Sequence, residues 1–65
     1  MAEGFYNDVC KEIAALGFRF WKPAKGSHEK WRNEKTGTVL LVPRHLRSRH
    51  TANGILKDAG ATKRF

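Results

Sequence analysis

The sequence is short of cysteine, proline and long apolar runs. Its 65 residues include one cysteine and two prolines. A single cysteine, Cys10, excludes an internal disulfide and favours a reducing compartment. The apolar runs are too short for a membrane-spanning helix, and residues 1–4 lack the basic start of a signal peptide. We therefore expect one small domain, residues 1–65, in the cytoplasm and without a membrane partner.

Acidic residues are also scarce. Six aspartates and glutamates stand against thirteen lysines and arginines, which gives a formal net charge of +7. Such a charge on a small body predicts a polyanionic partner, either nucleic acid or an acidic protein. A chain this short buries only about 60% of the surface that it exposes when unfolded. Any active site should therefore be shallow and open.

Hydrophobic periodicity predicts two helices and three strands. Residues 3–16 and residues 51–59 each carry an apolar stripe at helical spacing. Segments 18–22, 28–34 and 38–42 either alternate with period two or are apolar and β-branched, as is typical of strands. The order α-β-β-β-α predicts an α+β fold, in which a three-stranded antiparallel sheet carries both helices on one face. The other face, called the open face below, is expected to contact water.

Local signals mark the ends of these elements. Gly17 and Gly60 follow the two helices, where a positive φ is needed. Thr51 is the predicted N-cap of the second helix. Leu16 belongs to the apolar stripe of the first helix. The basic end of the chain at residues 63–64 is expected to be a disordered tail.

Strand parity divides the aromatic residues between the two faces of the sheet. Phe18, Phe20 and Trp31 are assigned to the core, towards the helices. Trp21 falls on the open face together with His28. An exposed aromatic ring on a basic surface can stack on a nucleic-acid base.

His28 is the leading candidate for chemistry. It lies at the start of a predicted strand and shares the open face with Lys30 and Arg32. Histidine can take up or release a proton near neutral pH, and neighbouring cations can hold a phosphodiester. RNA cleavage needs a base for the 2′-OH proton and positive charge for the transition state. An exposed strand histidine without a catalytic role explains the same pattern.

The turn before His28 is a second candidate. Lys25, Gly26 and Ser27 can offer backbone N–H groups, a hydroxyl and a positive charge to a phosphate. Ordinary turn chemistry accounts for the same residues, since glycine supplies special backbone angles and serine bonds to nearby backbone.

The segment 44–50 (RHLRSRH) is a third candidate. Arg44 and His45 form either an RNA phosphate clamp or part of a solvated basic loop. No metal or other cofactor is expected, because the three histidines and Cys10 do not have the spacing of a zinc module.

Four motifs in series resemble the HicA-type (YcfA-like) toxins. They are G-F-x-F from residue 17, K-G-S-H-x-x-W from residue 25, T-V-x-x-V-P-x-H from residue 38 and T-x-x-x-I-L-K-D-A-G from residue 51. The match covers about residues 4–61. The resemblance implies a fold like that of double-stranded-RNA-binding domains, a ribosome-independent mRNA interferase (endoribonuclease) activity, and His28 as the catalytic residue. It also implies a HicB-type antitoxin that covers His28, and no metal.

Two positions depart from this family pattern. The segment from Gly17 to Gly26 is one residue longer, which could shift His28 relative to the sheet. His50 stands where a glycine often precedes the threonine of the last helix, which could alter the start of that helix.

Two other hypotheses remain open at this point. The first is a non-catalytic RNA-binding module of the same fold, in which His28 is one polar contact among several. The second is a DNA-contacting subunit of an autoregulatory toxin–antitoxin complex. The sequence shows no helix-turn-helix, so DNA contact is expected only through the antitoxin.

Overall fold

The computed structural model describes residues 4–65, and Glu3, the predicted start of the first helix, lies outside the described residues. The elements follow the predicted order. They are α1 (Tyr6–Ala15), β1 (Phe18–Pro23), β2 (His28–Asn33), β3 (Val39–Pro43) and α2 (Arg49–Ala59). The predicted α+β fold, with its antiparallel sheet and two helices, is confirmed. Neither helix has the length and apolar character needed to cross a membrane.

The sheet is antiparallel, and β2 lies between β1 and β3. Pairing of β2 with β3 runs without interruption from His28 opposite Pro43 to Arg32 opposite Val39. Pairing of β1 with β2 is interrupted once, after Phe20. The central strand therefore has a fixed register along its whole length on the β3 side.

The interruption is a β-bulge at Trp21. Phe20 pairs with Trp31, whereas Lys22 pairs with Lys30, so Trp21 is an additional residue on β1. The strict alternation predicted through Lys22 is therefore wrong beyond Phe20. A bulge places two residues of one strand opposite one residue of its partner. Lys22 consequently shares the open face with Lys30.

The core lies between the sheet and the two helices. Its nine buried apolar side chains are Val9, Ile13, Phe18, Leu40, Val42, Leu46, Ala52, Ile55 and Leu56. Full burial of each large aliphatic or aromatic side chain stabilises the fold by about 1.5–3 kcal/mol. Every helix and both outer strands contribute to this set.

Three hydrophobic residues differ from their predicted environments. Leu16 is 41% exposed because α1 ends at Ala15 and Leu16 is its C-cap. Phe20 is 50% exposed, and its ring packs on the Trp31 ring in a T-shaped arrangement with 6.4 Å between centroids. Leu46, predicted to be part of a basic loop, is buried in the core. Strand periodicity correctly predicted that Phe20 lies on the same face as Trp31. It could not show that the helices leave half of the Phe20 side chain exposed.

The N-cap of α2 is Ser48 and not Thr51. Ser48 has an extended backbone, and its hydroxyl accepts a hydrogen bond from the Thr51 N–H at 3.2 Å. Both residue types are good caps, and the cap is the one whose backbone is still extended. The helix therefore begins at Arg49, and His50 lies within its first turn.

The end of the chain is ordered against the helices, so the predicted disordered tail is wrong. The Phe65 ring lies 4.9 Å from the Phe5 ring, and the Phe65 N–H donates to Asn53 Oδ1 at 2.8 Å. Lys63 Nζ lies 3.4 Å from Glu12 Oε2. The terminal aromatic ring anchors the basic segment, because it covers a half-buried phenylalanine.

Asn33 is a buried polar residue that joins three parts of the fold. Its Nδ2 donates to the Leu16 carbonyl at 3.1 Å, beyond the end of α1. Its Oδ1 accepts from the N–H groups of Lys35 and Thr36 at 2.9 and 3.2 Å. Gly17 (φ 102°) passes close by, and a Cβ there would lie 3.2 Å from Asn33 Nδ2. Asn33 thus holds both the end of α1 and the β2–β3 turn.

Candidate active site

His28 is exposed at the start of β2, where the turn from β1 ends. Its N–H faces the Lys25 carbonyl at 3.4 Å, and its carbonyl accepts from the Ala24 N–H at 2.9 Å. Gly26 adopts φ 67°, and a Cβ placed there would meet nothing within 4 Å. Backbone conformation, and not lack of space, therefore explains glycine in this turn.

The end of β3 is tied to the same turn. The Arg44 N–H donates to the Ser27 carbonyl at 2.9 Å, one residue beyond the pairing of His28 with Pro43. The K-G-S-H and V-P-x-H segments, distant in sequence, are therefore adjacent in the fold. His28 is held from both sides by backbone hydrogen bonds, while its side chain stays accessible.

A shallow groove opens beside His28. It is lined by Ala24, Lys25, Gly26, Ser27, His28, Lys30 and Leu41. Five of these seven were predicted from the sequence, and Ala24 and Leu41 were not. Leu41 pairs with Lys30 and is 55% exposed. Alternation with the buried Leu40 and Val42 was the signal that could have placed Leu41 on the open face.

Trp21 lies in a cluster of cations on the open face. Its ring centroid is 4.4 Å from Lys22 Nζ, 4.8 Å from Arg32 Cζ and 6.0 Å from Lys30 Nζ. Lys22 and Lys30 are direct cross-strand partners, and like charges in that position are destabilising. The ring offsets part of this repulsion through cation–π contacts. Such a concentration of charge suits a polyanion.

Arg32 also has an acidic neighbour. Its Nη2 lies 3.1 Å from Glu34 Oε2, and the Glu34 side chain is 73% exposed. An ion pair this exposed is worth about 0–1 kcal/mol. Arg32 can therefore exchange this carboxylate for a phosphate at small cost.

Glu29 follows His28 in β2, and its side chain lies on the face of the sheet that the helices cover, called the helix face below. The sequence patterns did not predict a role for it. Its side chain is only 13% exposed. Oε1 accepts from the Tyr6 hydroxyl at 2.7 Å and from Trp31 Nε1 at 3.0 Å. Oε2 lies 3.7 Å from Arg44 Nε. A charged residue with core-facing parity was the available signal, since a buried carboxylate requires partners.

Two groups near Glu29 have raised pKa values. Burial is the main cause that raises the pKa of Tyr6, and the hydrogen bond to Glu29 adds to it. Burial likewise raises the pKa of the Cys10 thiol, which favours the unreactive protonated form. Among residues 4–65, no three histidine, cysteine or acidic side chains are grouped as metal ligands.

His45 is not part of the groove beside His28. It lines a separate depression with Gly4, Tyr6, Asn7, Arg44, Leu46 and Arg47. The predicted site residues therefore form three groups, which are the His28 groove, the Trp21–Arg32 cluster, and the Arg44–His45 loop beside them.

Comparison with known protein families gives a match over most of the chain. The family described as HicA toxin of bacterial toxin-antitoxin matches residues 6–61. No curated protein and no solved structure matches significantly. The family match covers both helices, all three strands and the turn that carries His28. The chain therefore belongs to the HicA toxin family, and it is the toxin component of a bacterial toxin–antitoxin system.

Proposed function

We propose that this toxin is a ribosome-independent endoribonuclease that cleaves mRNA, with His28 as the general base. The observation that carries the proposal is the exposed His28 in an open groove beside Lys25 and Lys30. A shallow, basic groove accepts an extended polyanion, and the histidine meets it at the start of the central strand. Such a substrate would be met in the cytoplasm.

The proposed reaction is an internal phosphoryl transfer. The neutral imidazole of His28 removes the proton from a ribose 2′-OH. The 2′ oxygen then bonds to the adjacent phosphorus, and the bond from phosphorus to the 5′ oxygen breaks. The leaving oxygen takes a proton from the solvent that reaches the open groove. The products carry a 2′,3′-cyclic phosphate and a 5′ hydroxyl.

Positive charge assists this step. Lys25 and Lys30 line the same groove as His28, where they can stabilise the extra negative charge on phosphorus-bound oxygens. The Gly26 and Ser27 N–H groups and the Ser27 hydroxyl provide further donors. No metal or other cofactor is required in this scheme.

The remaining predicted residues extend the RNA surface. Arg32 and Trp21 continue it along the open face. Arg44, whose guanidinium lies beside Glu29, and His45 both line another depression and are proposed as outer contacts only.

Family membership implies an antitoxin partner. We propose that a HicB-type antitoxin covers His28 and the groove, which would block RNA from the base. Contact with operator DNA would come through the antitoxin in the complex. Co-expression of a small protein encoded beside the toxin should restore growth, and loss of cleavage in the purified complex would support coverage of the groove.

The test of catalysis uses two exposed histidines. Induced expression should arrest bacterial growth and cut purified mRNA, and His28→Ala should abolish both effects. His50→Ala is the matched control, because His50 is exposed in the first turn of α2 and lies outside the groove. Equal toxicity of the His28→Ala variant would refute the proposal.

The alternative is an RNA-binding module without catalysis. The Trp21 cluster favours it, because stacking and phosphate contacts there need no histidine. In that case the purified protein would bind RNA with steep salt dependence and leave it uncut.

A further inference from the structure

The bulge changes what β1 presents on the open face. In a regular strand, Trp21 and Lys22 would point to opposite faces. Here Lys22 pairs with Lys30 and its Nζ lies 4.4 Å from the Trp21 ring centroid. An aromatic ring and a cation therefore lie together on the open face.

The bulge leaves the pairing of β2 with β3 undisturbed. Pairing of β2 with β3 is regular from His28 opposite Pro43 onward. The irregularity is confined to the β1 side, between Phe20 and Lys22. The bulge thus leaves the register of His28 against β3 intact and sets the position of Trp21.

Trp21 is displaced from His28 along β2. Its ring lies 6.0 Å from Lys30 Nζ and 4.8 Å from Arg32 Cζ, and these residues are two and four positions along β2 from His28. Two to four residues of an extended strand span about 7–13 Å. We therefore assign the base on Trp21 to a nucleotide displaced along β2 from the one that meets His28.

We propose that the bulge at Trp21 forms a second RNA subsite, which stacks on an unpaired base away from the cleaved bond. This inference rests on the proposed function. The ring is 42% exposed, and the three cations around it attract the phosphates of the same nucleotide and its neighbours. A stacked base displaces the Lys22 ammonium from the ring, and Lys22 then pairs with phosphate.

The subsite defines the class of substrate. A base within a duplex is stacked on both faces and paired along one edge, so neither face is free to lie on Trp21. The substrate is therefore single-stranded RNA that extends from the His28 groove along β2 to the bulge. A fragment too short to reach the ring binds without this contact.

Binding can be measured without cleavage. The sequence has two tryptophans. In the His28→Ala background, the substitution Trp31→Phe leaves Trp21 as the single tryptophan, so tryptophan fluorescence reports on Trp21 alone. Single-stranded RNA should quench this fluorescence, and a duplex of the same sequence should not. Trp21→Ala should weaken single-strand binding roughly 5- to 150-fold, as expected for one stacked base. Trp21→Phe should retain most of the affinity.

Phe20→Ala is the matched control. Phe20 is the adjacent aromatic residue, 50% exposed, but it lies on the helix face against Trp31. Thermal unfolding of both variants checks that each is folded. Equal losses of single-strand affinity in Phe20→Ala and Trp21→Ala would overturn the subsite.

An abasic scan locates the stacked nucleotide. One position away from the cleavage site should lose affinity when its base is removed, and that loss should disappear in Trp21→Ala. If base removal and Trp21→Ala weaken RNA binding additively, or if Trp21→Ala leaves the RNA affinity unchanged, the proposal is overturned. Uncut RNA with the wild-type protein would instead refute the nuclease activity, while the binding data still decide the subsite.

Discussion

The Tyr6 hydroxyl in α1 donates a hydrogen bond to Glu29 Oε1 at 2.7 Å, and the two residues are 23 positions apart in the sequence. Glu29 is the neighbour of His28 in β2, and its other oxygen faces Arg44. The contact therefore connects the first helix to the start of the strand that carries the proposed base. Its contribution to stability can be measured through the titration of Tyr6, through stability at alkaline pH and through substitution of Glu29.

Ionisation of Tyr6 should be displaced to high pH in the folded protein. Burial and the Glu29 carboxylate raise its pKa above the ordinary value of about 10. The sequence has one tyrosine, so the near-ultraviolet absorbance of tyrosinate reports Tyr6 alone. The folded protein should titrate above the denatured protein, and coincident titrations would contradict the assignment.

Stability should fall at alkaline pH for the same reason. Above pH ~10 the unfolded chain loses the Tyr6 proton while the folded chain keeps it. The stabilisation is complete below that pH and declines as pH rises towards the folded pKa. Denaturant unfolding of Tyr6→Phe should show a smaller alkaline decline than the wild type. Parallel declines would show that other groups cause the loss.

Removal of the Glu29 carboxylate should destabilise the fold. Glu29→Ala leaves the Tyr6 hydroxyl and Trp31 Nε1 without their acceptor. An unsatisfied donor costs about 1–3 kcal/mol when fully buried; because these two donors are half-buried, we expect a loss towards the lower end of that range. Glu29→Gln keeps an acceptor oxygen and should lose less free energy of unfolding in urea.

Glu34→Ala is the control for that comparison. Its only side-chain ion pair among residues 4–65 is the exposed contact with Arg32, worth at most about 1 kcal/mol. A loss in Glu34→Ala equal to that in Glu29→Ala would mean that charge, and not the buried hydrogen bonds, sets the effect.

Two glycines separate backbone strain from site geometry. Gly26 and Gly37 have φ values of 67° and 75°, and a Cβ at either would meet nothing within 4 Å. Alanine at each should cost about 1–2 kcal/mol, since both positions are left-handed. Only Gly26→Ala should also reduce RNA cleavage, because its turn precedes His28. Equal cleavage by both variants would show that the turn tolerates distortion.

The sequence predicted the elements and the face of each strand because these follow from periodicity. Parity alone placed His28, Lys30 and Arg32 on the open face, opposite Trp31. Parity could not reveal the bulge, because Trp21 is an extra residue of β1 only in relation to the pairing with β2. Two alternating segments on either side of a bulge look continuous in sequence.

Tertiary contacts explain the other differences. The ends of the helices depend on capping contacts. At the start of α2, the Ser48 side chain accepts a hydrogen bond from the Thr51 N–H. The prediction of a disordered tail at residues 63–64 is wrong because nothing in the sequence points to Phe5 as the neighbour of Phe65. Asn33 has a polar side chain at a core-facing position, and only the fold shows that the Leu16 carbonyl satisfies it. Each case depends on a contact between distant residues.

Salt dependence should separate the charged from the stacking part of the RNA surface. Lys30→Ala removes one cation of the groove, so RNA binding should weaken for all sequences. The slope of log affinity against log salt should fall by about 0.7 for a single strand. Trp21→Ala should weaken binding and leave that slope unchanged, because stacking releases no counterion. Lys57→Ala, an exposed lysine on α2, should leave both quantities at wild-type values. A slope reduced equally by Lys57→Ala would mean that RNA contacts the helix side, contrary to an RNA path along β2.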